Sequence, residues 1–229
     1  MGGALRPAAE RSHDVARDAP AGLDAEKKTL AASERNEAAR TAWREAAAQL
    51  DPEQLVFVDE SGTTIALTRV YGWAPHDHRA TGSVPRNYGK NTTLVAALTP
   101  AGLHEPWMLE GALDTEAFEW YVREQLAPTL RPGQVVVLDN LSVHQAASIR
   151  HAIEARHCPL LFLPPYSPDC TPIEQAFSKI KAILRRIGAR TKEALWEAMR
   201  VAVEAITSED ALAWFAHAGY ILILSAQPT

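Results

Sequence analysis

The stretch Leu163-Pro164-Pro165-Tyr166-Ser167-Pro168-Asp169-Cys170-Thr171-Pro172-Ile173-Glu174 constrains this chain more than any other. Its four prolines hold the backbone extended and forbid a helix until Pro172, whose fixed φ and missing N–H suit a first helical turn. A stiff arm thereby delivers Glu174 to one place. The same residues also spell a capping box, Thr171-Pro172-Ile173-Glu174, in which the glutamate would fold back onto its own helix start.

Two upstream runs bear on that choice. Leu55-Val56-Phe57-Val58-Asp59-Glu60 and Val135-Val136-Val137-Leu138-Asp139-Asn140 are apolar segments that each end in carboxylates. Taken singly, Asp59-Glu60-Ser61-Gly62 reads as a hairpin turn and Asp139-Asn140 as a strand end. Taken together with Glu174, the acids have a common explanation. Phosphodiester cleavage with two Mg²⁺ ions about 3.5–4 Å apart needs hard oxygen ligands on rigid supports. Aspartates on neighbouring strands and a glutamate from a nearby helix provide such a base. Glu60, next to Asp59, points to the other face of a strand.

At 229 residues and 47% hydrophobic, the chain can build one good-sized domain plus an appendage. A formal charge of −5 excludes a protein that coats nucleic acid indiscriminately, so any DNA contact must come from local basic patches. Cys158 and Cys170 match no zinc spacing and read as free thiols of a reducing cytosol. No apolar signal core or membrane-length run is present, which leads us to expect a protein of the cell interior with no membrane partner.

Along the chain, residues 1–50 read as a tail without periodicity, to about Gly22, followed by an Ala-rich helical linker from Asp24 to Leu50. A folded domain is expected over 51–220, with 221–229 as a C-terminal tail. It opens with a hairpin, Leu55–Glu60 and Thr64–Thr68 around a Ser61-Gly62 turn, and a third strand over Thr92–Leu98. Asp114 caps a helix to about Ala127, and Gln134–Leu138 is a central strand, apolar without alternation. Ser142 and Gln145 suggest a capping box opening a helix to Ala155, followed by a short strand at Leu160–Leu163. A helix over Ile173–Ile187 places Ile173, Phe177, Ile180, Leu184 and Ile187 on one face. Further helices start at Thr191, with Leu195, Trp196, Met199 and Val203 as apolar positions, and near Ser208. The order predicts an α/β fold, a ribonuclease H-like mixed five-stranded sheet flanked by helices with appended C-terminal helices. Trp107, Trp120, Trp196 and Trp214 read as core, and His144 as a hydrogen-bonding surface or core residue rather than a metal ligand.

The residues Phe57-Val58-Asp59-Glu60-Ser61-Gly62, Val84-Pro85-Arg86-Asn87-Tyr88-Gly89, Val137-Leu138-Asp139-Asn140 with His144, and Leu163 to Glu174 closely resemble the catalytic domain of bacterial insertion-sequence transposases of the mariner-like superfamily. The resemblance covers roughly Lys27 to Tyr220. The 34 residues between Asp139 and Glu174 are the spacing usual in that family. It implies that Asp59, Asp139 and Glu174 are the acidic (DDE) triad, ligands of two Mg²⁺ ions for which Mn²⁺ can substitute. The implied activity is cleavage at transposon ends and strand transfer into target DNA at TA steps. The implied partners are double-stranded DNA, as terminal inverted repeats and as target, and a second copy in a homodimer on DNA.

The family commonly carries an aromatic residue and Asn before Pro-Ile-Glu, where this chain has Cys170 and Thr171. Full-length relatives also carry helix-turn-helix modules, for which the first fifty residues are too short and irregular. The expectation is a catalytic half, with end recognition on a separate reading-frame product. A bacterial cytoplasmic protein, at the nucleoid when bound to DNA, follows. A structure-specific ribonuclease H-like nuclease and an inactive remnant are the alternatives.

Phosphate contacts are expected next to such a site. Between Thr171 and Arg200, seven Lys and Arg residues face three Glu, and Lys179, Lys181, Arg185 and Arg186 are the candidates. In the polar connection from Arg69 to Lys90, Arg86, Tyr88 and Lys90 can grip phosphates and stack on bases. Trp73 reads there as an anchor to the sheet.

Overall fold

The computed structural model describes residues 32–221. The tail expected to about Gly22, and all but the first residue of the C-terminal tail, lie outside that range. Helix α1 (Glu37–Ala47) begins at Asn36, whose side chain accepts from Ala39 N–H. Strands β1 (Leu55–Thr63), β2 (Thr92–Thr99) and β3 (Gly102–Glu110) follow, then α2 (Thr115–Tyr121), which continues through a π-helical stretch, Val122–Leu126. The remaining elements are β4 (Val135–Leu138), α3 (Ala147–Glu154), β5 (Leu160–Phe162), α4 (Ile173–Ile187), α5 (Lys192–Glu204) and α6 (Ser208–His217).

The five strands form one mixed sheet in the order β3-β2-β1-β4-β5. β2 is antiparallel to β1 and β3, whereas β4 is parallel to β1 and β5. Alternation along β1 sorts its side chains to two cores. Leu55 and Phe57 join a cluster with Ile173, Phe177, Ile180 and Phe215. Val56 and Val58 join a cluster with Phe118, Tyr121, Ile149 and Ile153 on the other face. Burying both faces under helices accounts for the unbroken apolar β4.

Several expectations are corrected. Ser61 and Gly62 do not turn: they stay in β1, paired with Leu94 and Thr93. Residues 64–68 form a turn, in which Ala66 N–H donates to Thr64 Oγ1, and not a strand. The third antiparallel strand is β3, which the sequence hides behind Pro106. Between the pairs Val95–Trp107 and Ala97–His104, β3 carries one extra residue, a bulge at which Glu105 takes a φ of 48°. The Ser142–Gln145 box does not form. Ser142–His144 is a 3₁₀ turn, α3 starts uncapped by any side chain, and Gln145 donates to Asn140 instead.

Helix α1 is part of the same compact unit as the sheet, which begins at Arg35, rather than a linker ahead of residue 51. Ile187, Trp120 and Trp196 are exposed, and Trp107 and Trp214 are only half-buried. Trp73 does not anchor its loop: it is fully exposed, beside an exposed Tyr71.

Candidate active site

Asp59 and Asp139 are set by one register. Phe57 pairs with Val137 in the parallel β1–β4 ladder, and each aspartate stands two residues further along its chain. An even step keeps both on the face of Phe57 and Val137, the face covered by α4. Glu174 lies in the first turn of α4.

The capping box at Thr171 does not form, because Pro172 takes the N-cap position and no side chain caps the helix. Glu174 is therefore not folded back on Thr171, and it accepts no hydrogen bond among the described residues. The arm leaves β5 with Leu163 N–H donating to Leu138 O, so it continues the sheet past the strand ends. It then kinks at Tyr166, held in the left-handed region at φ 55°. Such backbone costs on the order of 1 kcal/mol and persists where surroundings impose it.

The three acids line one cleft of about 440 Å³, with Asn140, Leu141 and the arm residues Leu163, Pro165, Tyr166 and Pro168 among its walls. Asp59 is half-buried in the wall of that cleft. Burial first, and then the charge of Glu60, push its carboxyl up to about 8, with Asp139 and Glu174 adding to the rise. The Glu60 N–H, donating to Asp59 Oδ1 at 2.8 Å, works the other way.

Carboxylates from three elements that line one cleft fit a hard divalent cation by donor chemistry. The three acids are not drawn together, however: among the described residues, no three His, Cys, Asp or Glu side chains are gathered as a ready metal cage.

His144 is a hydrogen-bonding core residue, one of the two readings its sequence allowed, and its partner is a cleft aspartate. Its ring is wholly buried, with Nδ1 at 2.5 Å from Asp139 Oδ1 and its centroid 4.2 Å from that of Phe118. Its Nε2 lies 3.2 Å from Glu60 Oε2, close enough for charge attraction but not aligned as a hydrogen bond. Burial pulls the imidazole pKa down, yet the partnership with Asp139 and then Glu60 prevails and raises it to about 9. Its spacing from Asp139, which sets it in the 3₁₀ turn after β4, was the available signal.

The basic residues divide into two groups. Lys179 is ion-paired with Asp210. Arg190 donates to the carbonyls of Ile65 and Leu67, Lys192 pairs with Glu110, and Arg200 pairs with Glu197 and Glu204. Lys181, Arg185 and Arg186 have no ion-pair partner among the described residues. Lys181 and Arg185, seven and eleven positions after Glu174, lie on its side of α4, about 10 and 16 Å along the helix. Arg86, Tyr88 and Lys90 are exposed on the connection between β1 and β2.

No curated protein sequence matches this chain. Among solved structures it is similar to a pre-cleavage Mos1 transpososome, with a TM-score of 0.69 and 14% identity over 96% of this chain and 71% of that one. It is also similar to the Mos1 strand transfer complex (TM-score 0.67, 16% identity, 90% of this chain, 65% of that one). A third is the mariner Mos1 paired end complex with Mg (TM-score 0.66, 15% identity, 92% of this chain, 67% of that one). The chain thus spans about two thirds of the length of these three chains, and the shared fold is ribonuclease H-like. Residues 54–196, well over half of the sequence, match the family described as DDE superfamily endonuclease, so the chain belongs to the DDE superfamily of endonucleases.

Proposed function

We propose that this chain is the catalytic part of a mariner-like transposase of a bacterial insertion sequence. It cuts DNA at the ends of a mobile element and joins the freed 3′-hydroxyl to target DNA at TA steps. The observation that carries this reading is that Asp59, Asp139 and Glu174, brought from three separate elements, line one cleft.

Asp59, Asp139 and Glu174 would hold two divalent ions, Mg²⁺ or Mn²⁺ in its place. When bound, the ions activate the attacking oxygen and stabilise the leaving one. Asp59, whose carboxyl is pushed up to about 8, would have to lose its proton to serve as a ligand there. Asp139 keeps one oxygen on His144 and presents the other. The arm fixes Glu174, and Lys181 and Arg185 hold backbone phosphates beside it.

The partner is double-stranded DNA, both element ends and target. That the similar Mos1 structures are a transpososome and a strand transfer complex supports this. The same reading includes a homodimer on DNA. The setting in this reading is the bacterial cytoplasm, at the nucleoid when DNA is bound.

The test supplies a labelled pre-cut end with a free 3′-hydroxyl, a plasmid target and Mn²⁺ or Mg²⁺. The expected result is covalent joining at TA steps that Asp139→Asn abolishes. Cutting without joining would make the protein a nuclease, and neither would make it inactive on its own.

A further inference from the structure

Arg40 is an unusual residue for the middle of a helix: its side chain has no exposed surface, although its charge is permanent. Its guanidinium grips Asp169, on the arm, with both ends of its fork, Nη1 to Oδ1 at 2.9 Å and Nη2 to Oδ2 at 2.5 Å. Arg44 Nη2 reaches the same Oδ2 at 3.2 Å and Arg35 Nη2 approaches it at 3.7 Å. The hydrogen bond from Arg40, with the surrounding positive charge, holds the Asp169 carboxyl below the usual carboxylate range.

The neighbouring residue is held as well. Tyr220 Oη donates to Cys170 O at 2.7 Å and accepts from Trp43 Nε1, another α1 residue, at 3.1 Å. Helix α1 therefore grips the turn Pro168–Cys170 at one side chain and, through Tyr220, at one carbonyl. From that turn the chain runs through buried Thr171 and Ile173 directly into Glu174. Asp169 and Cys170 are not among the cleft-lining residues, whereas Pro168, Thr171 and Glu174 are, so the grip is from behind the site.

We infer that α1 is a strut for the Glu174 arm, with Arg40 a positioning residue that acts through Asp169 to hold Glu174 at the cleft. The inference rests on reading Glu174 as a metal ligand. A solvent-exposed partner alone would not justify burying an arginine, since a lone ion pair barely offsets desolvation. Ordering a ligand-bearing arm gives the pair a role beyond stability.

The test measures Mn²⁺ affinity by calorimetric titration, well below the melting temperature, together with amide hydrogen exchange over residues 166–175. Asp169→Asn is expected to weaken Mn²⁺ binding about 10-fold. It should also speed exchange in that segment, and Asp169→Glu should retain most of the affinity. Tyr220→Phe, which removes a single hydroxyl, should give a smaller loss of the same kind. In a Glu174→Gln background Asp169→Asn should cost nothing further, because its effect passes through Glu174. A lowered melting temperature with unchanged Mn²⁺ affinity and unchanged exchange, or an equal loss in both backgrounds, would overturn the inference. Absence of any Mn²⁺ binding dependent on Asp139 would instead overturn the metal-site reading. The exchange rates would then still decide whether α1 holds the arm.

Discussion

His144 Nδ1 lies 2.5 Å from Asp139 Oδ1, so a fully buried imidazole holds one oxygen of an aspartate at the cleft. On its other side is Glu60, on the sheet face opposite Asp59. Replacing His144 by Ala leaves both carboxylates facing each other's charge and opens a void beside Phe118. Removing one partner of a fully buried ion pair costs about 3–5 kcal/mol; as Asp139 and Glu60 are partly solvated, a loss of about 2–3 kcal/mol is expected. Urea denaturation of the metal-free protein measures it, and a loss below 1 kcal/mol, on the scale of an exposed ion pair, would refute it.

The same groups set a pH dependence. In the unfolded chain Asp59 ionises near 3.8, whereas the folded protein keeps its proton up to about 8. Its stabilising contribution is complete below the lower value and fades as pH rises through the upper one. His144 adds a contribution that is complete below 6.5 and lost through about 9. Asp169 and Asp210, whose pKa values are lowered by Arg40 and Lys179, act in the opposite sense: their contribution is present above 3.8 and is lost only as the pH falls below it. The metal-free protein should therefore melt at falling temperatures as the pH rises from about 6.5 to 9. In His144→Gln the decline over that window should be shallower. A flat wild-type profile would contradict the assigned shifts.

How much of this was legible follows from the length of the pattern carrying each feature. The 15-residue helix α4 and the cap at Asp114 follow from local signals, and the structure has both, with Asp114 Oδ1 accepting from Ala117 N–H. The two aspartates end apolar runs, so their places on neighbouring strands could be read before any register was known. β3 could not be found in this way. It is half-buried, so no apolar run marks it, and Pro106 is tolerated only because a bulge absorbs it. The hydrogen bonds from Arg40 to Asp169 and the approach of His144 to Glu60 join residues far apart in the chain, and no local pattern encodes them.

Divalent metal should stabilise the native state by mass action. At a free concentration of ten times Kd the gain is about 1.4 kcal/mol, or roughly 3–6 °C in melting temperature for a chain of this size. Asp139→Asn should remove most of that gain. Asp59→Asn should raise the melting temperature of the metal-free protein at pH 8, because a carboxylate disfavoured by burial and then by the charges of Glu60, Asp139 and Glu174 is gone, while it abolishes the response to metal. Thermal scans with Mg²⁺, with Mn²⁺ and with chelator separate these effects. An unchanged metal response in Asp59→Asn would remove that residue from the site.

Lys179, Lys181 and Arg185 share helix α4 but differ in what holds them. The Lys179 amine is committed to Asp210, which is also in the capping box of α6 with Thr207. Lys181 and Arg185 have no such partner among the described residues, and both lie on the side of α4 that bears Glu174. A phosphate contact releases condensed counterions, so each one lost lowers the slope of log K against log salt by about 1. Lys181→Gln and Arg185→Gln should each flatten the slope by about that amount without shifting the melting temperature. Lys179→Gln should leave the slope unchanged and lower stability by about 0.5–1 kcal/mol, the loss of a partly exposed ion pair. Fluorescence anisotropy on a labelled duplex over a series of salt concentrations measures the slopes. If Lys179→Gln flattened the slope and Arg185→Gln did not, the DNA would lie along the α6 side of α4 instead of the Glu174 side.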